Sequence, residues 1–123
     1  MKQCAVLLDG VIIADKVKIA DTFFSRLKGL LNKKKINNME ALLICPCKQI
    51  HTFGMMFSID AVFLSEEKEV LHVIHSMAPG KASPYIKEAC MVLELHEGTL
   101  SHRNIKKHDI LTISDPVKTV VSK

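Results

Sequence analysis

Tryptophan is absent and tyrosine occurs once, so with five Phe the aromatic share of the 123 residues is 5%. That leaves few platforms on which bases could stack. Arginine is nearly missing too, since only Arg26 and Arg103 occur, and the excess of 17 basic over 13 acidic residues therefore rests on lysine. Lysine is a point charge without the planar fork that reads base edges. Together these shortages make nucleic acid an unlikely partner. Five Gly and four Pro are too few for a collagen-like or low-complexity chain. Long hydrophobic runs are missing: the longest have the length of strands, short of the ~20 residues of a bilayer-crossing helix, so no membrane span is predicted. The N-terminal run Cys4 to Leu8 breaks at Asp9-Gly10, too early for a secretion signal, and the expected location is the cytoplasm. In that compartment Cys4, Cys45, Cys47 and Cys90 read as reduced thiols rather than a disulfide framework.

What is present is enough for one core. An apolar fraction of 48% and a charged fraction of 24% are those of a globular domain. Neither repeats nor linkers divide the chain, so residues 1–123 are expected to form one domain, with a polar tail over 115–123. Residues 4–8 and 11–14 are short apolar runs separated by Asp9-Gly10, a dipeptide suited to the positive φ of a tight hairpin turn. From Ile19 the period changes. Phe23, Phe24, Leu27, Leu30 and Leu31 recur at helical spacing, with Asp21 or Thr22 placed to cap the first turn. Gly29 implies close packing or the approach of the helix end. Further strands are predicted over 41–45, 59–64, 70–75, 90–95 and 109–113, with a turn at 65–69 and an irregular loop over 76–89. The expected fold is α+β and mainly β: a compact domain with an antiparallel or barrel-like sheet, packed on both faces, and one principal amphipathic helix near the N-terminus.

Three groups of residues could carry chemistry. Cys45-Pro46-Cys47 followed by His51 offers soft ligands for a metal such as zinc, but the C-x-C spacing is tighter than that of a zinc knuckle and a fourth ligand is not evident. No metal or cofactor is therefore predicted. Cys47 with His51 as base is a nucleophile pair in outline, although neither an orienting carboxylate nor an oxyanion hole can be named. Asp60 shares strand parity with Val62 and Leu64, so its carboxylate faces an apolar layer and needs partners there, either Arg26 or backbone amides. Glu94 alternates against Leu93 and Leu95 and is expected on the outer, solvated face. His72 and His75, an odd number apart, point to opposite faces of one strand and form no ligand pair.

Taken in order, Ala20-Asp21-Thr22 with Arg26-Leu27-Lys28-Gly29-Leu30-Leu31, Ile50-His51-Thr52-Phe53-Gly54-Met55, Ile59-Asp60-Ala61-Val62-Phe63-Leu64, Val92-Leu93-Glu94-Leu95 with Glu97-Gly98-Thr99, and Ile105-Lys106-Lys107-His108-Asp109 resemble domain-of-unknown-function family 192. The blocks span about residues 4–114. The resemblance implies a compact, mainly β domain with an early helix, and it implies no activity, cofactor or catalytic set. Many members of that family carry an N-terminal export or anchor segment, which does not precede the blocks here. Gly54 and Met56 stand where the pattern has an aromatic and often a basic residue, Ser58 where it has proline, and His108 where it has a turn glycine.

From the residues and the resemblance together, Arg26, Lys28, His51, Thr52 and Asp60 are expected to meet in one polar constellation. It serves either as a structural network or as a shallow site, in which Arg26 or Lys28 takes an anionic group, His51 and Thr52 hydrogen-bond, and Asp60 orients the histidine. The leading expectation is a non-enzymatic binding or accessory domain that recognises a small molecule or a protein segment through the loops around His51 and 76–89. A Cys/His-dependent hydrolase or transferase, and a metal-binding domain on Cys45, Cys47 and His51, are the alternatives.

Overall fold

Asp9 (φ 52°) and Gly10 (φ 78°) both adopt the left-handed conformation of a two-residue turn. In the computed structural model, which describes residues 2–115, that turn joins β1 (Gln3–Leu8) to β2 (Val11–Ala20) as an antiparallel hairpin. α1 (Phe23–Lys28) follows, then β3 (Glu40–Ile44), β4 (Ile59–Leu64), β5 (Val70–Met77), β6 (Met91–His96), the single turn of α2 (Thr99–His102), and β7 (Leu111–Ser114). One seven-stranded sheet results, in the order β5-β4-β6-β3-β2-β1-β7. All its pairings are antiparallel except β2 with β3, which run parallel. A parallel neighbour requires a crossover, and α1 with residues 29–39 supplies it. Residues 116–123 of the expected polar tail lie outside the described residues.

The sheet curls until its ends approach, as a half-barrel. The Val70 N–H donates to the Asp109 carbonyl (2.7 Å), the Leu111 N–H to that of Lys68 (3.0 Å) and the His108 N–H to that of Val70 (2.9 Å). These bonds join the outer strands β5 and β7 near one end of each. The last strand begins at Leu111 rather than Asp109, because the Asp109 carboxylate accepts the Lys106 N–H (2.9 Å) and holds a turn there.

Two apolar layers sandwich the sheet. Inside the curl, Val6, Val17, Leu43, Val62, Leu93 and Leu111 pack together, with Leu100 of α2 among them. On the outer face Leu42, Ile44, Phe63 and Val92 are covered by Leu30, Ile36, Ile50 and Met55 from irregular segments. Every residue of β4 is consequently buried, as expected of a strand packed on both faces.

The helix differs from its prediction. α1 is only six residues long, and none of them is buried. Thr22 caps it through a capping box with Ser25, and Gly29 (φ 50°) ends it. Phe23, Phe24 (79% exposed) and Leu27 are all more than half exposed. Helical spacing of apolar residues is therefore not the mark of an amphipathic helix seated on the core here. Leu30 reaches the core only because the chain leaves the helix at Gly29.

Candidate functional site

α1 stands over the outer face of the sheet, and beneath it lies a cavity of about 270 Å³. This is near the lower end for small-molecule sites, with room for about nine waters. Leu27, Leu31, Ile44, Ile50, Phe53 and Met55 are among its apolar lining residues, and Arg26, Lys28, Cys47, His51 and Glu94 are its ionisable members. The segment opposite the helix comes close to it: Gly54 has φ 79°, and a Cβ there would stand 3.2 Å from Leu31 Cδ2. Glycine at this position fits the close approach, where a side chain would be strained and would push Leu31 aside.

Arg26 reaches in from α1. Its Nη1 donates to the Pro46 carbonyl at 3.3 Å, which fixes the guanidinium, while Nε is buried without a partner. Glu94 rises from the centre of β6 with 3% of its surface exposed and makes no hydrogen bond among the described residues. Burial pushes its carboxyl from 4.5 up to about 7. Both groups lie close enough to act electrostatically on Cys47, yet no ion pair forms between them among the described residues. Arg26 and Glu94 thus line one cavity without pairing, and the Glu94 carboxyl accepts no hydrogen bond from the described residues.

His51 is exposed at the mouth of the cavity, where its ring stacks on Phe53 (centroids 5.0 Å apart, 22° between planes). Cys47 is held differently from a nucleophile. Its Sγ donates to the Gln49 carbonyl at 3.2 Å and makes no hydrogen bond to His51, and burial raises the thiol above its ordinary pKa. That favours thiol over reactive thiolate. All four cysteines are free. Among the described residues no three His, Cys, Asp or Glu side chains converge as metal ligands, so Cys45, Cys47 and His51 do not form the trio that their spacing allowed.

The expected five-residue constellation divides. Arg26, Lys28 and His51 line the cavity; Thr52 and Asp60 do not. Thr52 is wholly buried, donates to the Ala78 carbonyl (2.6 Å) and accepts the Lys81 N–H (3.0 Å). It thereby ties residues 78–81 to the segment that bears His51, and Ser83 does the same one step further on by accepting the Ile50 N–H (2.9 Å). Asp60 points into the curl. One carboxylate oxygen accepts the Ser76 N–H (2.9 Å) and the other the N–H groups of Gly98 (3.0 Å) and Leu100 (2.9 Å). It pins the turn into α2 and touches neither Arg26 nor His51.

Glu94 corrects the expectation in the other direction. Strand parity places it opposite Leu93 and Leu95 as expected, but that face is covered rather than solvated. A signal was available in Val92, which shares Glu94's face and is apolar, as a buried face requires.

The fold and sequence have known counterparts. The family model DUF192, described as Uncharacterized ACR, matches residues 6–113. A UPF0127 protein of Thermococcus kodakarensis is 32% identical over an alignment 99 residues long that covers 69% of this chain and 62% of that protein. Another, of Thermococcus sibiricus, is 39% identical over 67 residues, covering 50% of this chain and 43% of the relative. The chain thus spans about two-fifths to three-fifths of the curated relatives it matches. Among solved structures, a protein of unknown function from Novosphingobium aromaticivorans superposes with a TM-score of 0.78 at 17% identity, over 89% of this chain and 83% of that one. A protein from Sinorhizobium meliloti described as a putative transcription regulator gives 0.75 at 15% identity, over 91% and 92%. At such identities the likeness is one of fold.

Proposed function

The chain belongs to the DUF192 family, and from that starting point we propose that it is a binding domain whose site is the cavity beneath α1. The observation that carries this reading is that the Glu94 carboxyl, buried and without a hydrogen bond from the described residues, lines one mostly apolar space together with the Arg26 side chain and is paired with nothing there. Leaving such a carboxyl buried without a partner is costly, and a bound molecule with an apolar body and a polar end removes that cost. Binding suits the site better than covalent catalysis, because the cavity's thiol is committed to the Gln49 carbonyl and protonated by burial. In this reading Arg26, Lys28 and His51 meet the ligand, and Thr52 and Asp60 hold the scaffold around it.

A protein segment is the second reading. Phe23, Phe24, Leu27, Phe53 and Met56 are all more than half exposed around α1 and the facing segment, an apolar rim on which such a segment could lie.

The test is a nuclear magnetic resonance titration of the labelled protein with small amphipathic molecules. Saturable shifts centred on residues 26–31, 47–55 and 94 are the expected result. Shifts confined to Phe24 and Met56 would move the site to the rim, and shifts scattered over the sheet would remove it.

A further inference from the structure

Resting on that reading of the cavity, we infer that its ligand is a small apolar monocarboxylate, whose carboxylate lies between the Arg26 guanidinium and the Glu94 carboxyl and whose hydrocarbon part lies against Leu27, Leu31, Phe53 and Met55. The placement of charge selects this class. Arg26 and Lys28 bring two positive side chains to the cavity, while Glu94 is its sole acid. Lys28 also borders a neighbouring cleft of about 420 Å³ lined by Lys16, Lys18 and Lys33 against the single acid Glu40, which adds to the positive potential on that side. A cationic ligand would meet repulsion from two directions.

The hydrogen-bonding groups agree. The Arg26 guanidinium carries donors only, and of these Nη1 is held by the Pro46 carbonyl. Glu94, buried and raised to about 7, presents an O–H donor whenever it is protonated. Donors and an apolar wall in one cavity accept a group made only of acceptors, and a carboxylate is the smallest that also carries the complementary charge. The two carboxyl groups then share one proton, which solvent supplies when the ligand enters with Glu94 ionised. The cavity's modest volume and dominant apolar lining favour a carboxylate on a short hydrocarbon over a more highly charged oxyanion.

Binding is therefore linked to protons, with a sign fixed by the ligand's charge. Other ionisable groups border Glu94: Arg26 and Lys28 from α1, and Cys47 and His51 from the segment after β3. Lys48 is turned to the carbonyls of Lys87 and Ala89, and His72 of β5 lies on the same sheet face, edge-on to Phe63. The strand neighbours paired with Glu94, Leu42 and Ala61, carry no charge.

The experiment titrates the protein with hexanoate, hexanamide and hexylamine while following backbone amides and the Glu94 carboxyl carbon by nuclear magnetic resonance. Hexanoate should bind in the cavity, more tightly than hexanamide, raise the apparent pKa of Glu94, and lose affinity by up to about tenfold per pH unit above neutrality. Glu94→Gln keeps a donor and the shape, so it should retain binding and abolish that slope. Arg26→Gln should weaken hexanoate roughly ten- to hundredfold while leaving hexanamide nearly unchanged. Preference for hexylamine, with a lowered Glu94 pKa, would overturn the carboxylate assignment and leave the cavity as the site. Equal binding of all three probes, or an unchanged pH slope in Glu94→Gln, would also overturn it. Failure of every probe to shift cavity residues would remove the binding reading itself.

Discussion

Two acids are buried in this protein on opposite faces of the same sheet, and their surroundings differ in kind. Asp60, inside the curl and wholly buried, accepts three backbone N–H groups from Ser76, Gly98 and Leu100. Glu94, on the outer face and almost as buried, accepts none among the described residues. Burial alone is thus no guide to role. An acid surrounded by donors is a structural fastener, since each oxygen already has what water gave it, whereas an acid without them keeps unsatisfied capacity. The comparison assigns Asp60 to the fold and Glu94 to the site, and substitutions at each can break that assignment.

Asp60 should show the largest effect. Asp60→Ala takes the acceptor from three N–H groups, that of Leu100 buried and those of Ser76 and Gly98 partly so, and is expected to cost about 3–5 kcal/mol in urea unfolding. Asp60→Asn keeps one carbonyl acceptor and should cost less. If Asp60→Ala were within ~1 kcal/mol of the parent chain, the fastener role would fail, and with it the contrast with Glu94.

Glu94 should act in the opposite sense. Its carboxyl has a folded-state pKa raised from 4.5 to about 7 by burial. Between those values the folded state holds a proton that the unfolded state has released, so stability falls as pH rises across that window. Its contribution is fully present below about 4.5, and about 3 kcal/mol of it is lost once pH passes well above 7. Glu94→Gln carries no such charge, so it should be more stable than the parent above neutrality, with the difference shrinking toward acid pH. Unfolding in urea at several pH values, parent against variant, checks this. A variant equally destabilised at all pH values would mean that the carboxyl has partners after all.

The same contrast explains what could be read from the sequence. Asp9-Gly10, the apolar runs that became β3 to β6, and the parity of Asp60 are local signals, and the structure carries them through. Parity separated Glu94 from Leu93 and Leu95 correctly as well. What parity does not contain is whether a face is covered. The cover here comes from residues 29–36, 45–58 and 76–89, irregular segments held by backbone bonds such as Ser83 N–H to the Ile50 carbonyl and by the Thr52 hydroxyl. Contacts of that kind leave no period in the sequence. For the same reason Phe23, Phe24 and Leu27 imitate a core-facing helix, although the short α1 stands above the cavity and none of its side chains is buried.

The smallest effect is expected at the seam of the curl, where exposure replaces burial. His108 occupies the left-handed conformation (φ 80°) in the turn before β7, the place at which the family pattern has glycine, and its Nδ1 lies 2.9 Å from the Glu69 carboxylate. Both side chains are largely open to water, so losing their contact forfeits little. His108→Gly relieves the positive φ and gives back a similar amount through the greater freedom of the unfolded chain. The two changes nearly cancel, while the His108 N–H bond to the Val70 carbonyl survives because it belongs to the backbone. Urea unfolding of His108→Gly should therefore fall within about 0.5 kcal/mol of the parent. Asp60 and His108 both bridge distant parts of the chain through one side chain, so a large gap between their variants would isolate burial as the quantity that sets the scale. A large loss at His108 would instead place the stability of the seam in its side chains, and the ranking drawn from Asp60 and Glu94 would not extend to it.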